Sequence, residues 1–234
     1  MELLEHTKLQ VFTQDYPKIV KLFDDLDIDY YCFGERTLEE ACQKQNLDLQ
    51  EVSSEVQLFL KENPNAEDFE KPSLEKLLDF VEQIHVDIRN KLRDLKPKAP
   101  LFFKQRKHEK LQVELIKVLT ILENQLGKHH KLEEEFSLPY FRNLQHEEMG
   151  EVTDFVKSYI GNLKQHLEIM KLEHEVIARQ YYRIRQILNL YQGEGEGVQL
   201  EFLKDFKEFA KLLKVYIHTE NNLVFPKVIE LSKH

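Results

Sequence analysis

Glycine and proline are scarce in this chain, seven of each in 234 residues. An all-β fold spends those residues on its turns, so their scarcity argues against sandwiches and barrels. Long apolar runs are missing too. None approaches the roughly 18 residues that a membrane-spanning helix needs, and Met1-Glu2-Leu3-Leu4-Glu5-His6 does not read as a signal peptide. Positive charge is in deficit: 33 basic against 42 acidic residues give a formal net charge of −9. That argues against nucleic acid as a partner, because neutralising phosphates needs a basic face. Cysteine is limited to Cys32 and Cys42, too few for a disulfide framework or a four-cysteine zinc site. These absences leave a cytoplasmic protein with reduced thiols, and no membrane partner, as the expectation.

What is present is helix. A chain 41% apolar and 32% charged suits amphipathic helices around a packed core. The stretch from Glu62 to Pro72 holds two prolines, two asparagines and four acidic residues with one aromatic. It cannot bury a face and reads as a linker. The expected organisation is therefore a small helical, cysteine-bearing domain over 1–62, a linker over 63–72 and a larger helical domain over 73–234. In the small domain, helical stretches are expected over Tyr16–Leu26, Thr37–Gln45 and Leu49–Leu60, with Thr37 and Glu40 spaced as a capping box. Four long helical patterns follow the linker. The first starts at a Ser73 cap and runs to about Leu95, before Pro97 and Pro100. The second runs from about Lys104 to Leu138, stopped by Pro139. The third runs from about Gly150 to Tyr191, and the fourth from about Val198 to Phe225, where Pro226 breaks or kinks it. Long helices with short connections predict an all-α, up-and-down four-helix bundle.

The apolar seam of each helix repeats at three- and four-residue spacing. It reads Leu78, Val81, His85, Ile88, Leu92 in the first and Leu115, Leu119, Leu122, Leu126, His129, Glu133 in the second. The third gives Val152, Val156, Tyr159, Leu163, His166, Met170, His174, Ile177, Tyr181, Ile184, Leu188. The fourth gives Leu203, Phe206, Ala210, Leu213, Ile217, Glu220, Val224. His85, His129, Glu133, His174 and Glu220 thus occupy places where the pattern demands apolar residues. A carboxylate moved into a core costs several kcal/mol unless it is paired, protonated or bound to a cation. Imidazole and carboxylate donors together suit non-haem iron, manganese or zinc. Two carboxylates able to bridge favour a two-metal centre.

These segments resemble the hemerythrin-like family, and more narrowly its di-iron iron–sulfur cluster repair proteins, which join a small cysteine-bearing domain to a hemerythrin-like bundle. His85-Val86-Asp87-Ile88-Arg89 with Leu92 is similar to the family's H-x-x-x-R-x-x-L. His129 through Glu133-Glu134 to Pro139 is similar to its H-x-x-x-E-E-x-x-L-F-P, and Glu173-His174 to its E-H. The most specific segment, Glu220-Asn221-Asn222-Leu223-Val224-Phe225-Pro226, resembles E-N-N-x-L-F-P. In the small domain Asp29-Tyr30-Tyr31-Cys32-Phe33-Gly34 and Thr37-Leu38-Glu39-Glu40-Ala41-Cys42 resemble D-[YF]-C-C-G-G and T-L-x-x-A-C.

Two departures stand out. Tyr31 replaces the first cysteine of the pair, leaving Cys32 as the one candidate redox thiol there. Tyr216 replaces the histidine four residues before Glu220, while His218 lies about 200° around the helix from that carboxylate and is not expected to share a metal with it. Tyr216 is on the right face, as a phenolate ligand, as a hydrogen-bond partner to one, or as a group closing an open position. The resemblance implies two non-haem irons, the second weaker, held by His85, His129, Glu133, His174 and Glu220, with zinc or manganese as alternatives. It implies repair of iron–sulfur clusters damaged by nitric oxide or oxidants, with iron–sulfur proteins as clients and nitric oxide or dioxygen as small ligands. A hemerythrin-like oxygen or nitric oxide sensor or carrier is the competing reading, and an interaction bundle with a partly decayed site the third. Whether the chain is an enzyme, and whether it forms a homodimer, the sequence leaves open.

Overall fold

The computed structural model describes residues 2–63, 72–103, 108–144, 154–191 and 197–233. Among these residues the fold is all-α. The small N-terminal part contains α1 (Glu2–Glu5), α2 (Leu9–Asp15), α3 (Ile19–Asp25), α4 (Leu38–Gln45) and α5 (Leu49–Glu62). The remainder contains α6 (Leu74–Leu95), α7 (Ala99–Phe102), α8 (Glu109–Leu132), α9 (Leu138–Asn143), α10 (Asp154–Ile160), α11 (Leu163–Asn189), α12 (Val198–His218) and α13 (Phe225–Leu231). α8 packs along α11 and α6 along α12, which makes the four long helices the walls of a bundle. No helix of the described residues is long and apolar enough to cross a membrane.

Helix starts follow local chemistry. The Ser73 side chain accepts from the Lys76 amide at α6, and Asp48 accepts from the Gln50 and Glu51 amides at α5. Thr37 and Glu40 close the expected capping box on α4. Each such cap satisfies orphan amide donors and is worth about 1 kcal/mol. α4 ends where Asn46 takes a left-handed conformation, φ 54°, which Asn tolerates better than most side chains.

The expected helices need three corrections. The third long pattern is two helices: the chain breaks at Gly161, whose φ of +54° favours glycine, and restarts on an Asn162 cap. Its proposed start at Gly150 and Val152 lies outside the described residues, as does Lys104 in the second pattern and most of the proposed linker. Neither Pro139 nor Pro226 stops its helix. Each sits in the first turn of a short helix that follows a π-helical segment, Glu133–Ser137 and Thr219–Val224. A widened turn accommodates the donor that proline lacks. The seam is shifted in two places: Tyr159 and Leu203 are exposed, whereas Phe202, one residue from Leu203, is fully buried.

Both π-helical segments fall at the two seam carboxylates, Glu133 and Glu220. The second has a consequence for the whole molecule. Thr219, Glu220, Asn221 and Asn222 are four consecutive buried polar residues. A one-sided surface helix would expose part of such a run. Here one side faces the bundle interior and the other faces the small N-terminal part, which packs through α2 against this segment.

Candidate metal centre

Four of the five expected donors converge. Ligand atoms of His129, Glu133, His174 and Glu220 all lie within 4.8 Å of one another, and all four residues are buried. They come from α8, the first π segment, α11 and the second π segment. The Nε2 atoms of His129 and His174 are 2.8 Å apart. His129 Nε2 is 3.0 Å from Glu133 Oε1, and His174 Nε2 is 3.1 Å from Glu220 Oε2. His85, from α6, stands to one side, with Nε2 3.2 Å from Glu133 Oε2. Glu133 is thus the hinge of the arrangement, with one oxygen toward His129 and the other toward His85.

Each of the three histidines is gripped through Nδ1 by an oxygen. Glu134 Oε1 lies 3.0 Å from His85 Nδ1, Glu173 Oε2 2.7 Å from His129 Nδ1, and Asn221 Oδ1 2.9 Å from His174 Nδ1. Arg89 in turn donates to Glu134 at 2.7 Å. An acceptor on Nδ1 places that nitrogen's proton there and turns Nε2 inward as the coordinating atom, the arrangement by which outer groups orient metal-binding histidines. The E-H and H-x-x-x-R patterns seen in the sequence are these outer partners.

Electrostatics point the same way. Burial works against charge on His129, but the Glu133 carboxylate and bonds to Glu133 and Glu173 outweigh it and push it up to about 10. His85 is also raised, its burial outweighed chiefly by Glu133. Glu133, buried as deeply, is nevertheless held well below the usual carboxylate range by His129 and His85. Glu220 is raised, first by burial and then by the charge of Glu133. His85 and His129 thus favour their charged forms beside the Glu133 carboxylate, while Glu220 favours its neutral form. Even so, His85 Nε2, Glu133 Oε1 and both Glu220 oxygens are buried with no hydrogen-bond partner. Oxygen and nitrogen acceptors aimed at a shared centre, close but not aligned for bonds to one another, fit a cation.

Tyr216 stands between His85 and His174, its ring centroid 5.2 Å from the one and 5.4 Å from the other. It is fully buried, donates to Glu133 Oε2 at 2.9 Å and lies 3.3 Å from His174 Nε2. Burial, then the charges of Glu133 and Glu220, raise its pKa well above the ordinary tyrosine range, so the hydroxyl keeps its proton and acts as a donor. His130 escaped the seam reading: it is buried, with both ring nitrogens unpartnered, and its ring stacks on His85 with centroids 3.8 Å apart. Burial, then the positive charge of His85, hold it well below the usual histidine range. The sequence signal for His130 is its place next to His129, with Glu134 four residues on as an alternative register.

The remaining candidates lie elsewhere. His218 is not at the cluster; its Nδ1 is 2.9 Å from Asn222 Nδ2 and its ring meets the edge of Tyr30. Cys32 and Cys42 are both unbridged, and burial, then the charge of Asp29, raise the Cys32 thiol well above its usual range. A thiol held protonated is a poor nucleophile at neutral pH.

Comparison with known proteins agrees with this geometry. Residues 7–59 match ScdA_N, described as a domain of unknown function (DUF542). Proteins named iron–sulfur cluster repair protein YtfE are similar along most of the chain. The one from Pectobacterium atrosepticum is 25% identical over 220 residues, covering 91% of this chain and 92% of its own. The one from Yersinia pestis strain Pestoides F is 25% identical over 224 residues, with the same coverage. Residues 76–228, the part that carries all the converging side chains, match the hemerythrin HHE cation-binding domain, and the chain belongs to that family.

Proposed function

We propose that this protein is a non-haem iron protein of iron–sulfur cluster repair, acting where nitric oxide or oxidants have damaged clusters. The observation that carries the reading is the buried His129, Glu133, His174 and Glu220 cluster, in a chain whose relatives bear the name of cluster repair proteins over nine-tenths of its length. His129 and His174 with the two carboxylates would hold one iron. His85 would serve a second together with Glu133, whose other oxygen faces it. When bound, iron would supply redox capacity and a coordination position for a small ligand such as nitric oxide or dioxygen.

The chain's own residues do the rest. Glu134, Glu173 and Asn221 orient the imidazoles through their Nδ1 atoms. Tyr216 donates to Glu133 Oε2 from the place where the family has a histidine, and its hydroxyl also lies 3.3 Å from His174 Nε2, so it stands between His85 and His174 without offering a basic nitrogen. Unequal affinities are expected: a tight position within the His129, Glu133, His174 and Glu220 cluster and a labile one beside His85, which lies outside it. A sensor or carrier of the same small ligands is the competing reading, favoured by the protonated, unpaired Cys32 thiol, which is ill suited to thiol chemistry on a client.

The test is elemental analysis of the purified protein with an optical spectrum, followed by anaerobic ferrous titration and an assay of reactivation of a nitric-oxide-damaged iron–sulfur enzyme. Two unequal iron affinities and reactivation are expected. Reversible ligand binding without reactivation would favour the sensor, and no metal after loading would overturn both.

A further inference from the structure

Asn221 joins two parts of the molecule. Its Nδ2 donates to the main-chain carbonyl of Tyr31 at 3.0 Å, and its Oδ1 lies 2.9 Å from His174 Nδ1. A carbonyl can only accept, so the amide must turn its nitrogen toward Tyr31 and its oxygen toward the imidazole. That oxygen can only accept, so Nδ1 of His174 carries the proton. The lone pair of Nε2 is then left facing His129, Glu133 and Glu220. We propose that Asn221 is a positioning residue through which the small N-terminal part fixes the tautomer, and hence the metal readiness, of His174. This rests on the reading of His174 as a metal donor.

His174 is singular in this dependence. His85 and His129 take their orientation from Glu134 and Glu173, carboxylates of the bundle itself that accept whichever way they turn. The neutral amide of Asn221 has a right and a wrong orientation, and the Tyr31 carbonyl decides between them. The loop bearing that carbonyl, and the helix α2 ahead of it, are tied down by three bonds. The Tyr31 and Tyr182 hydroxyls are 2.7 Å apart, which ties the loop to the same helix as His174. Asn222 Nδ2 donates to the Tyr30 carbonyl at 2.9 Å. Gln14 Nε2 donates at 2.6 Å to the main-chain carbonyl of Asn222, which Pro226, four residues on, cannot reach with an amide proton. Gly34 completes the fit: a Cβ there would stand 2.1 Å from Asn222 Oδ1, so only glycine lets the loop approach.

The experiment is nitrogen NMR of the full, metal-free chain with labelled histidine, paired with metal titration. The unaltered protein is expected to hold His174 protonated on Nδ1. Asn221→Ala should release it to the other tautomer and weaken metal binding about tenfold, the scale of losses from outer-shell partners. Asn221→Asp keeps an acceptor for Nδ1 but repels the Tyr31 carbonyl, so it should keep the tautomer. Gly34→Ala, which touches no histidine, should weaken metal binding in the direction of Asn221→Ala. His174 protonated on Nε2 in the unaltered chain, or unchanged affinity in both Asn221→Ala and Gly34→Ala, would overturn the proposal. If Asn221→Ala fails to fold, Asn221→Asp and Gly34→Ala carry the decision: an altered tautomer in the first or unchanged affinity in the second overturns it. Because the tautomer is read without metal, a chain that binds no iron defeats the functional reading and leaves this result standing separately.

Discussion

The two sides of the buried centre are unequal. On one side His129 and His174 bring their Nε2 atoms to 2.8 Å, with a carboxylate oxygen about 3 Å from each. On the other, His85 faces a phenol that keeps its proton and stacks on a histidine that accepts none. Both sides are equally dry, but they draw mainly on different helices, α8 and α11 for the first and α6 and α12 for the second. The difference lies in which side chains converge, and it teaches that a bundle can gather four ligand-type residues on one side while leaving a neighbouring histidine outside the group.

Glu133 is shared by both sides, so its removal should have the largest effect. Glu133→Ala is expected to reduce metal content to background, whereas His85→Ala should leave about one equivalent; elemental analysis after dialysis distinguishes them, and equal losses would erase the asymmetry. Tyr216→His places a basic nitrogen between His85 and His174. It should tighten the weaker position by on the order of tenfold, the scale by which outer-shell changes alter metal affinity, and leave the tighter one unchanged in calorimetric titration. Tyr216→Phe removes the hydrogen bond to Glu133 and the hydroxyl's contact with His174 Nε2, a change of about 1 kcal/mol by denaturant unfolding.

Acid should act through the His174 side, because the small N-terminal part docks there. Burial lifts Asp29 from 3.8 to about 6, so the native state holds a proton that the unfolded chain releases, and stability falls as pH rises through that window. Burial lowers His218 from 6.5 to about 4, so stability falls as pH drops through its window. The two shifts oppose each other at about 3 kcal/mol each. Asp29→Asn should therefore expose a loss of up to about that size between pH 6.5 and 4, and His218→Gln should reverse the sign. Denaturant midpoints at pH 7 and pH 5 check both. The smallest effect is expected from Arg89→Ala, which frees the half-exposed Glu134 behind His85: a shift within about 1 kcal/mol, confined to the weaker metal position.

The bundle was legible because burial of a helix face imposes a period on the sequence. Leu78, Val81, Ile88 and Leu92, or Leu115, Leu119, Leu122 and Leu126, fell where that period demanded and are buried. Polar residues in those same places marked the candidate site, since only compensation permits an interior His129 or Glu220. The period could not anticipate Tyr159 or Leu203, because a break at Gly161 and a locally shifted face change which residues point inward.

Sequence by itself determined the helical class, the caps at Ser73 and Thr37 and which polar residues sit on the seams as candidate donors, all of which depend on side chain chemistry and spacing along one chain. Tertiary structure alone decided how those donors divide. The split of Glu133 between His129 and His85, the stacking of His130 on His85, the grip of Asn221 on both Tyr31 and His174, and the seat of His218 beside Tyr30 all join residues distant in sequence. Such contacts follow from which helices pack together and where a turn widens, and no periodicity within a single helix encodes them.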